Sequence, residues 1–282
     1  MALVTGPWTC PTCNTTVPTA FCPACGERPV GPPDLTLRGI FAQMMRAISG
    51  IDGRLIRSFR CLVNQPGELT TAYVAGRRKP FIGPFQLFLI ANVVFFTVQS
   101  LTNIKIFSSP LDSHLHDQDW SALAQQLVAH RLATTQMPLD RYAPLFDQAV
   151  VLNAKSLVIL MVAPFALLLP VVFHRSRRPF ATHLAFSLHL YAFLLLLFCV
   201  ALAVAAVDVL FGGAGLHSAR MDNILTAINL AACLAYVHIA IGRVYAATGV
   251  ARLFKALALT VAVGCIVLGY RFLIFLITLY ST

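Results

Sequence analysis

The chain has 282 residues, 58% hydrophobic and 11% charged, whereas a soluble globular domain carries roughly a quarter charged residues. This composition argues against an ordinary soluble fold and for an all-α polytopic membrane protein. A formal net charge of +10 raises the question of nucleic acid, but nine of the 21 Lys and Arg precede the first long apolar stretch and six more fall in two short loops; such single-sided clustering is the mark of membrane topology, so a nucleic-acid partner is not expected.

The chain opens on "TCPTCNTTVPTAFCPACGERP" (residues 9–29), two CPxC pairs eight residues apart. Cys10, Cys13, Cys22 and Cys25 have the spacing of a structural zinc site, in which each knuckle supplies two thiolates and four close a tetrahedron. The short intervening loop favours a compact double knuckle over a full ribbon. Asn14 and Gly26 follow the two pairs and suit the left-handed turn that closes each knuckle. With only Trp8, Val17 and Phe21 as sizeable apolar groups, residues 1–30 cannot fold by burial alone, so metal must supply the stability. A redox pair or an iron centre is the alternative. Four protein ligands leave no place for a reactive water, so the head reads as a docking element. No charged, then apolar, then small-residue pattern of a cleavable signal opens the chain, and the head is expected to remain cytoplasmic.

Residues 31–83 read as a linker and basic amphipathic helices. A stiff proline stretch, Pro29 to Pro33, precedes Asp34, a helix cap. Leu37, Ile40, Phe41, Met44, Met45 and Ile48 then form one apolar face. A second face, Leu55, Ile56, Phe59 and Leu62, stands against Arg54, Arg57 and Arg60. Such helices suit an anionic membrane surface. Pro66 starts a short helix that Gly76 ends. Arg77, Arg78 and Lys79 follow at the mouth of the first span, and Arg177 and Arg178 stand likewise before the third. "RRKPF" and "RRPF" read either as a duplicated two-helix unit or as one topological demand met twice.

The zinc pairs and the stretch "PGELTTAYVAGRRKPFIGPFQLFL" carry a resemblance. Through Pro66, Gly67, Tyr73, Gly76, Arg77, Pro84 and Phe85 the chain resembles a bacterial integral-membrane family catalogued as domain of unknown function 3667. The resemblance implies the architecture and brings no reaction with it.

Five stretches reach the roughly 20 apolar residues that a membrane helix needs: residues 84–104, 156–173, 184–211, 224–242 and 256–280. The second is short and holds Pro164 and Pro170, so it is expected to be kinked or backed by neighbouring helices. Arg175, Arg177 and Arg178 follow the second span, and Arg243, Arg252 and Lys255 the fourth, whereas the loop between the third and fourth holds Arg220 alone. Positive loops stay inside. The reading is therefore an inner-membrane protein with its N-terminus cytoplasmic, its C-terminus external and residues 105–155 outside. In that segment Asp119 is a candidate cap for a helix carrying Trp120, Leu123, Leu127 and Val128, lying on the outer leaflet or covering the bundle. "DSHLHDQD" groups His114 and His116 with Asp112, Asp117 and Asp119, a loop that would chelate a divalent ion if its side chains converged.

Ionisable groups within spans are costly and therefore functional suspects. Arg271 lies about 22 Å along the fifth span from Ala256, with Asp208 and Asp222 as expected partners. His189 and His238 share a depth of about 6–8 Å below the inner surface. Asn92, His183, Tyr191 and Tyr236 would join them, either around a polar cavity or as interhelical hydrogen bonds. No Gly-x4-Gly-Lys, His-Glu-x-x-His or Gly-x-Ser-x-Gly motif occurs. The first functional reading is a non-enzymatic protein that docks a cytosolic or membrane protein partner. A small-solute or ion transporter and a lipid-modifying enzyme are the alternatives.

Overall fold

In the computed structural model the described residues are 7–10, 15–19, 21–24, 53–77, 80–104 and 106–282. The chain divides into two units, residues 1–54 and 55–282. In the first, β1 (Trp8–Thr9) pairs antiparallel with β2 (Thr16–Val17), Trp8 opposite Val17. The helix expected around residues 35–48 lies outside the described residues.

The second unit is a helical bundle. Residues 53–64 are helical (α1), followed by α2 (Glu68–Val74) and α3 (Pro84–Thr102). Beyond α3 come α4 (Leu111–His116), α5 (Ser121–Thr135), α6 (Leu139–Leu157) and α7 (Val162–Val172). The long helices α8 (Phe180–Leu210), α9 (Ala219–Tyr245) and α10 (Gly249–Ser281) complete it. Among the described residues, five stretches are long and apolar enough to cross a membrane. Their flanks expose large apolar side chains such as Val93, Leu167 and Val261, which water would not tolerate in such number but lipid does. This is an integral membrane architecture.

The bounds differ from expectation chiefly at the second span. It belongs to a helical stretch running from Leu139 to Val172, so helix occupies much of what the sequence assigns to the external segment. Tyr142, Phe146, Val150 and Ala154 are buried at four-residue spacing along α6, one stripe facing the bundle. The expected irregularity is a 3₁₀ turn, Val158–Met161, between α6 and α7. Pro164 accounts for it, because a proline offers no N–H to the Leu160 carbonyl four residues back. The last three spans run longer than expected at one or both ends, Phe180–Leu210, Ala219–Tyr245 and Gly249–Ser281, whereas the first ends two residues early at Thr102.

The connections are packed into the bundle. On α1, Ser58, Cys61 and Leu62 are buried and Leu55 and Phe59 lie against the main core, leaving Ile56 and Val63 outside. After α3, residues 106–110 turn inward: Phe107, Ser108 and Ser109 are buried. The Gln99 amide holds it, donating to Ser108 Oγ at 3.0 Å and accepting from the Ile106 N–H at 3.1 Å. Phe107 then rests among Phe95, Phe198 and Tyr270, with ring centroids 5.4–5.8 Å away. The α5 helix begins one residue after Trp120 rather than at an Asp119 cap, and Trp120 meets Phe272 edge to face. It covers the bundle.

Candidate functional site

In the head, the β1–β2 hairpin turns back on itself with the Cys10 N–H bonded to the Thr15 carbonyl at 2.9 Å. Cys10 and Cys22, twelve residues apart in sequence, are both buried and share one small cluster with Val17, against which Trp8 packs. The Trp8 indole donates to the Thr19 carbonyl at 2.8 Å and fixes the loop. Cys13 and Cys25 lie outside the described residues. Among the described residues no group of three or more His, Cys, Asp or Glu side chains is placed to hold a metal. The chemistry of the donors present, two thiols drawn into a core too small to stabilise itself, fits a thiolate-bound metal.

At the basic end of the bundle, the inner one in the orientation that the sequence predicts, several polar residues are engaged pairwise, whereas the buried Tyr191 hydroxyl has no partner among the described residues. Thr70 Oγ1 of α2 and His189 Nδ1 of α8 are 2.9 Å apart and buried. His183 Nδ1 bonds the Tyr245 hydroxyl at 2.8 Å. The Tyr245 ring stacks on Phe173 with centroids 4.0 Å apart and lies nearly parallel to the His183 ring at 5.5 Å. Tyr236 stacks on Phe193 at 4.1 Å. His238 contributes its backbone carbonyl, which accepts from Arg252 Nε at 2.7 Å, while its Nδ1 is buried with no protein partner among the described residues. Asn92 lies apart from all of these; its amide donates to the Lys155 carbonyl at 3.4 Å. The sequence-expected set thus does not converge on one cavity. Neither of the two lateral grooves, of about 460 and 440 Å³, is lined by His183, His189 or His238.

The short α2 explains why these pairs form. Gly67 caps it in the left-handed conformation, φ 85°, which glycine alone adopts freely. A Cβ there would stand 2.9 Å from the Ala240 carbonyl oxygen and 3.0 Å from its Cα. The turn therefore presses on the α9 backbone. Arg243 of α9 donates to the Pro66 carbonyl at 3.2 Å, and Ser58 Oγ accepts from the Ile82 N–H at 3.0 Å. A hydrogen-bonded ion pair between Arg77 and Glu68 at 2.9 Å closes the outer side of α2. Sequence reasoning ended the short helix correctly near Gly76, which takes φ 76°, but started it at Pro66 where it begins at Glu68, and it missed Thr70, which no periodicity marks.

At the opposite end, the outer one in the orientation that the sequence predicts, the expected ion pair of Arg271 is replaced. Its Nη2 reaches Ser109 Oγ at 3.4 Å in the inserted loop, and among the described residues it makes no salt bridge to Asp208 or Asp222. Asp208 instead accepts the Gly215 N–H at 3.0 Å, ordering the turn after α8. This requires Gly213, since a Cβ there would collide with the Asp208 carboxylate. The "DSHLHDQD" side chains do not converge either. His114 is buried, its ring 4.8 Å from Phe275, and it accepts from the Trp120 indole at 3.3 Å. His116 is exposed beside Asp112. Two residues apart on one helical turn, the histidines must face different ways.

No curated protein and no solved structure matches the chain. Residues 52–96, which span α1, α2 and most of α3, match the family described as "Protein of unknown function (DUF3667)". This is the family that the pre-membrane pattern resembles, and the matched stretch is the one that carries the Gly67 turn and the Thr70 contact onto the span helices.

Proposed function

We propose that this is a non-catalytic docking or assembly protein of a membrane, with a zinc head that binds a cytosolic or membrane protein partner. Cys10, Cys13, Cys22 and Cys25 hold the ion in this reading. Bound zinc supplies folding free energy to the head and no reactive position. The basic end is cytoplasmic, as the Lys and Arg distribution requires, and the C-terminus is external.

One observation carries the reading. His183 and His189 are each bonded to a side chain of another helix, Tyr245 and Thr70 respectively, so they act as glue within the bundle. A transporter or membrane enzyme would need them to line a shared cavity. The head supports a docking role through Phe21, which is 61% exposed. An aromatic side chain that a core of this size leaves outside is a natural anchor for a partner.

The test pairs metal content with site-specific crosslinking. Full-length protein should contain one zinc per chain, and a Cys22→Ser, Cys25→Ser variant should lose it while the spans keep their helicity. A photoreactive residue at position 21 in cells should give a protein adduct of defined mass, identified by mass spectrometry and lost in the double variant. Zinc retained by that variant overturns the site. Solute uptake by proteoliposomes that His189→Ala abolishes overturns the docking role.

A further inference from the structure

The basic end carries two kinds of cation. Arg77 pairs with Glu68, Arg243 and Arg252 donate to backbone carbonyls, and the Lys255 ammonium stands 4.8 Å from the centre of the Phe173 ring. Each of these has a partner within the fold. Arg175, Arg177 and Arg178 are exposed and form no salt bridge among the described residues. Arg177 also adopts φ 46°, ψ 33°, a left-handed turn that glycine or asparagine would take at lower cost. The turn alone does not account for an arginine there.

A groove of about 460 Å³ begins on α8 at Ala181, three residues after Arg178. Tyr73, Phe85, Ala181, Leu184, Leu188 and Ile159 line it. It runs up α8 from Ala181 to Leu188, a rise of about 10 Å. Its mouth adjoins the starts of α3 and α8, the two helices that follow the look-alike basic runs ending at Lys79 and Arg178. An occupant must be apolar along its length and anionic at the basic end. A helix from a second copy would fill the groove but bring another basic end toward the arginines, whereas a lipid brings the opposite charge.

We propose that the groove binds an acyl chain of an anionic phospholipid in the leaflet on the basic side, with the phosphate at Arg177 and Arg178. The two basic runs then record one lipid site as well as topology. The site is independent of the zinc head, so either reading can fail without the other.

The experiment is lipid retention measured by native mass spectrometry. Full-length protein is equilibrated in micelles with equal amounts of phosphatidylglycerol and phosphatidylcholine, then stripped. Wild type should retain a single phosphatidylglycerol in clear excess over phosphatidylcholine. A basic residue near an anionic surface contributes about 1 kcal/mol, so Arg177→Gln with Arg178→Gln should cut that preference roughly thirty-fold. Ala181→Trp, which blocks the groove and leaves the arginines, should lose the bound lipid with unchanged helicity. Equal retention of both lipids by wild type overturns the site, as does a phosphatidylglycerol preference that survives the arginine substitutions, which need no folded groove to be informative. A stable dimer carrying no lipid would assign the groove to a second copy instead.

Discussion

The two ends of the bundle solve the same problem in different ways. Each has a chain segment folded back against the span helices, and each must seat that segment without leaving buried backbone groups unpaired. The inner end uses backbone proximity and polar bonds: Gly67 against Ala240, Thr70 with His189, Arg243 to Pro66. The outer end uses bulk. There Phe107 is set among Phe95, Phe198 and Tyr270, and His114 among Phe146, Phe275 and Trp120, with Gln99 as the polar clamp. The contrast implies that the inner end is sensitive to a single added methyl group, and the outer end to removal of a ring.

The largest effect is expected at the outer end. Phe107→Ala removes a ring buried to 2% exposure from a cluster that cannot close over the gap, and truncations of this kind cost about 3–5 kcal/mol. Thermal unfolding in micelles should fall clearly, with a shift in Trp120 emission. Maleimide labelling of Cys61, buried at the inner end, should not change. If Cys61 reactivity rises together with the Trp120 shift, the ends are one cooperative unit and the contrast fails.

Gly67→Ala should come next. The left-handed backbone costs about 1–2 kcal/mol for a residue with a Cβ, and forcing that Cβ against Ala240 adds about 1–3 kcal/mol. The expected signature is the reverse of the first: faster maleimide labelling of Cys61 as α2 lifts from α9, with Trp120 emission unchanged. Burial raises the Cys61 thiol pKa, with the Glu68 charge adding to the rise, so slow labelling in the wild type is the proper baseline. Labelling that stays at the wild-type rate would mean that the turn does not seat α2.

The contrast also tracks what could be read from the sequence. The spans were legible because lipid imposes a length and a composition on each helix, and Pro164 announced the irregularity between α6 and α7. Gly67 stood out only as part of the family pattern, because its close approach to Ala240 depends on a helix more than 170 residues away. Thr70 and His189 carried no mark of their pairing for the same reason. Asp208 misled because an acidic residue at a span end invites an ion pair, whereas a local turn had an N–H to offer it. The inserted stretch 106–110 was the least legible, since polar Gln99 and Ser108 look like ordinary boundary residues until each satisfies the other inside the bundle. Cys10 and Cys22 share one small cluster with Val17, while Cys13 and Cys25 lie outside the described residues.

The smallest effect concerns the pH response of the outer end. Burial lowers the pKa of His114, and the nearby Arg271 charge adds to the drop; a backbone hydrogen bond to Ser109 opposes both, leaving it at about 4 against 6.5 in an exposed chain. The group is neutral in the fold at neutral pH. Above about pH 6.5 both folded and unfolded chains leave it unprotonated, so stability is indifferent to pH there on its account. Below that value the unfolded chain takes up a proton that the fold refuses, so stability falls until the folded group itself titrates near 4. Between about pH 6.5 and 5.5 the loss should be about 1 kcal/mol, measured as the difference between wild type and His114→Asn so that the carboxylates cancel. Cys61 labelling should be flat across the same window once corrected for thiolate fraction. A wild-type slope equal to that of the variant would show that His114 is not held neutral, and would remove acid sensitivity from the properties that set the outer end apart.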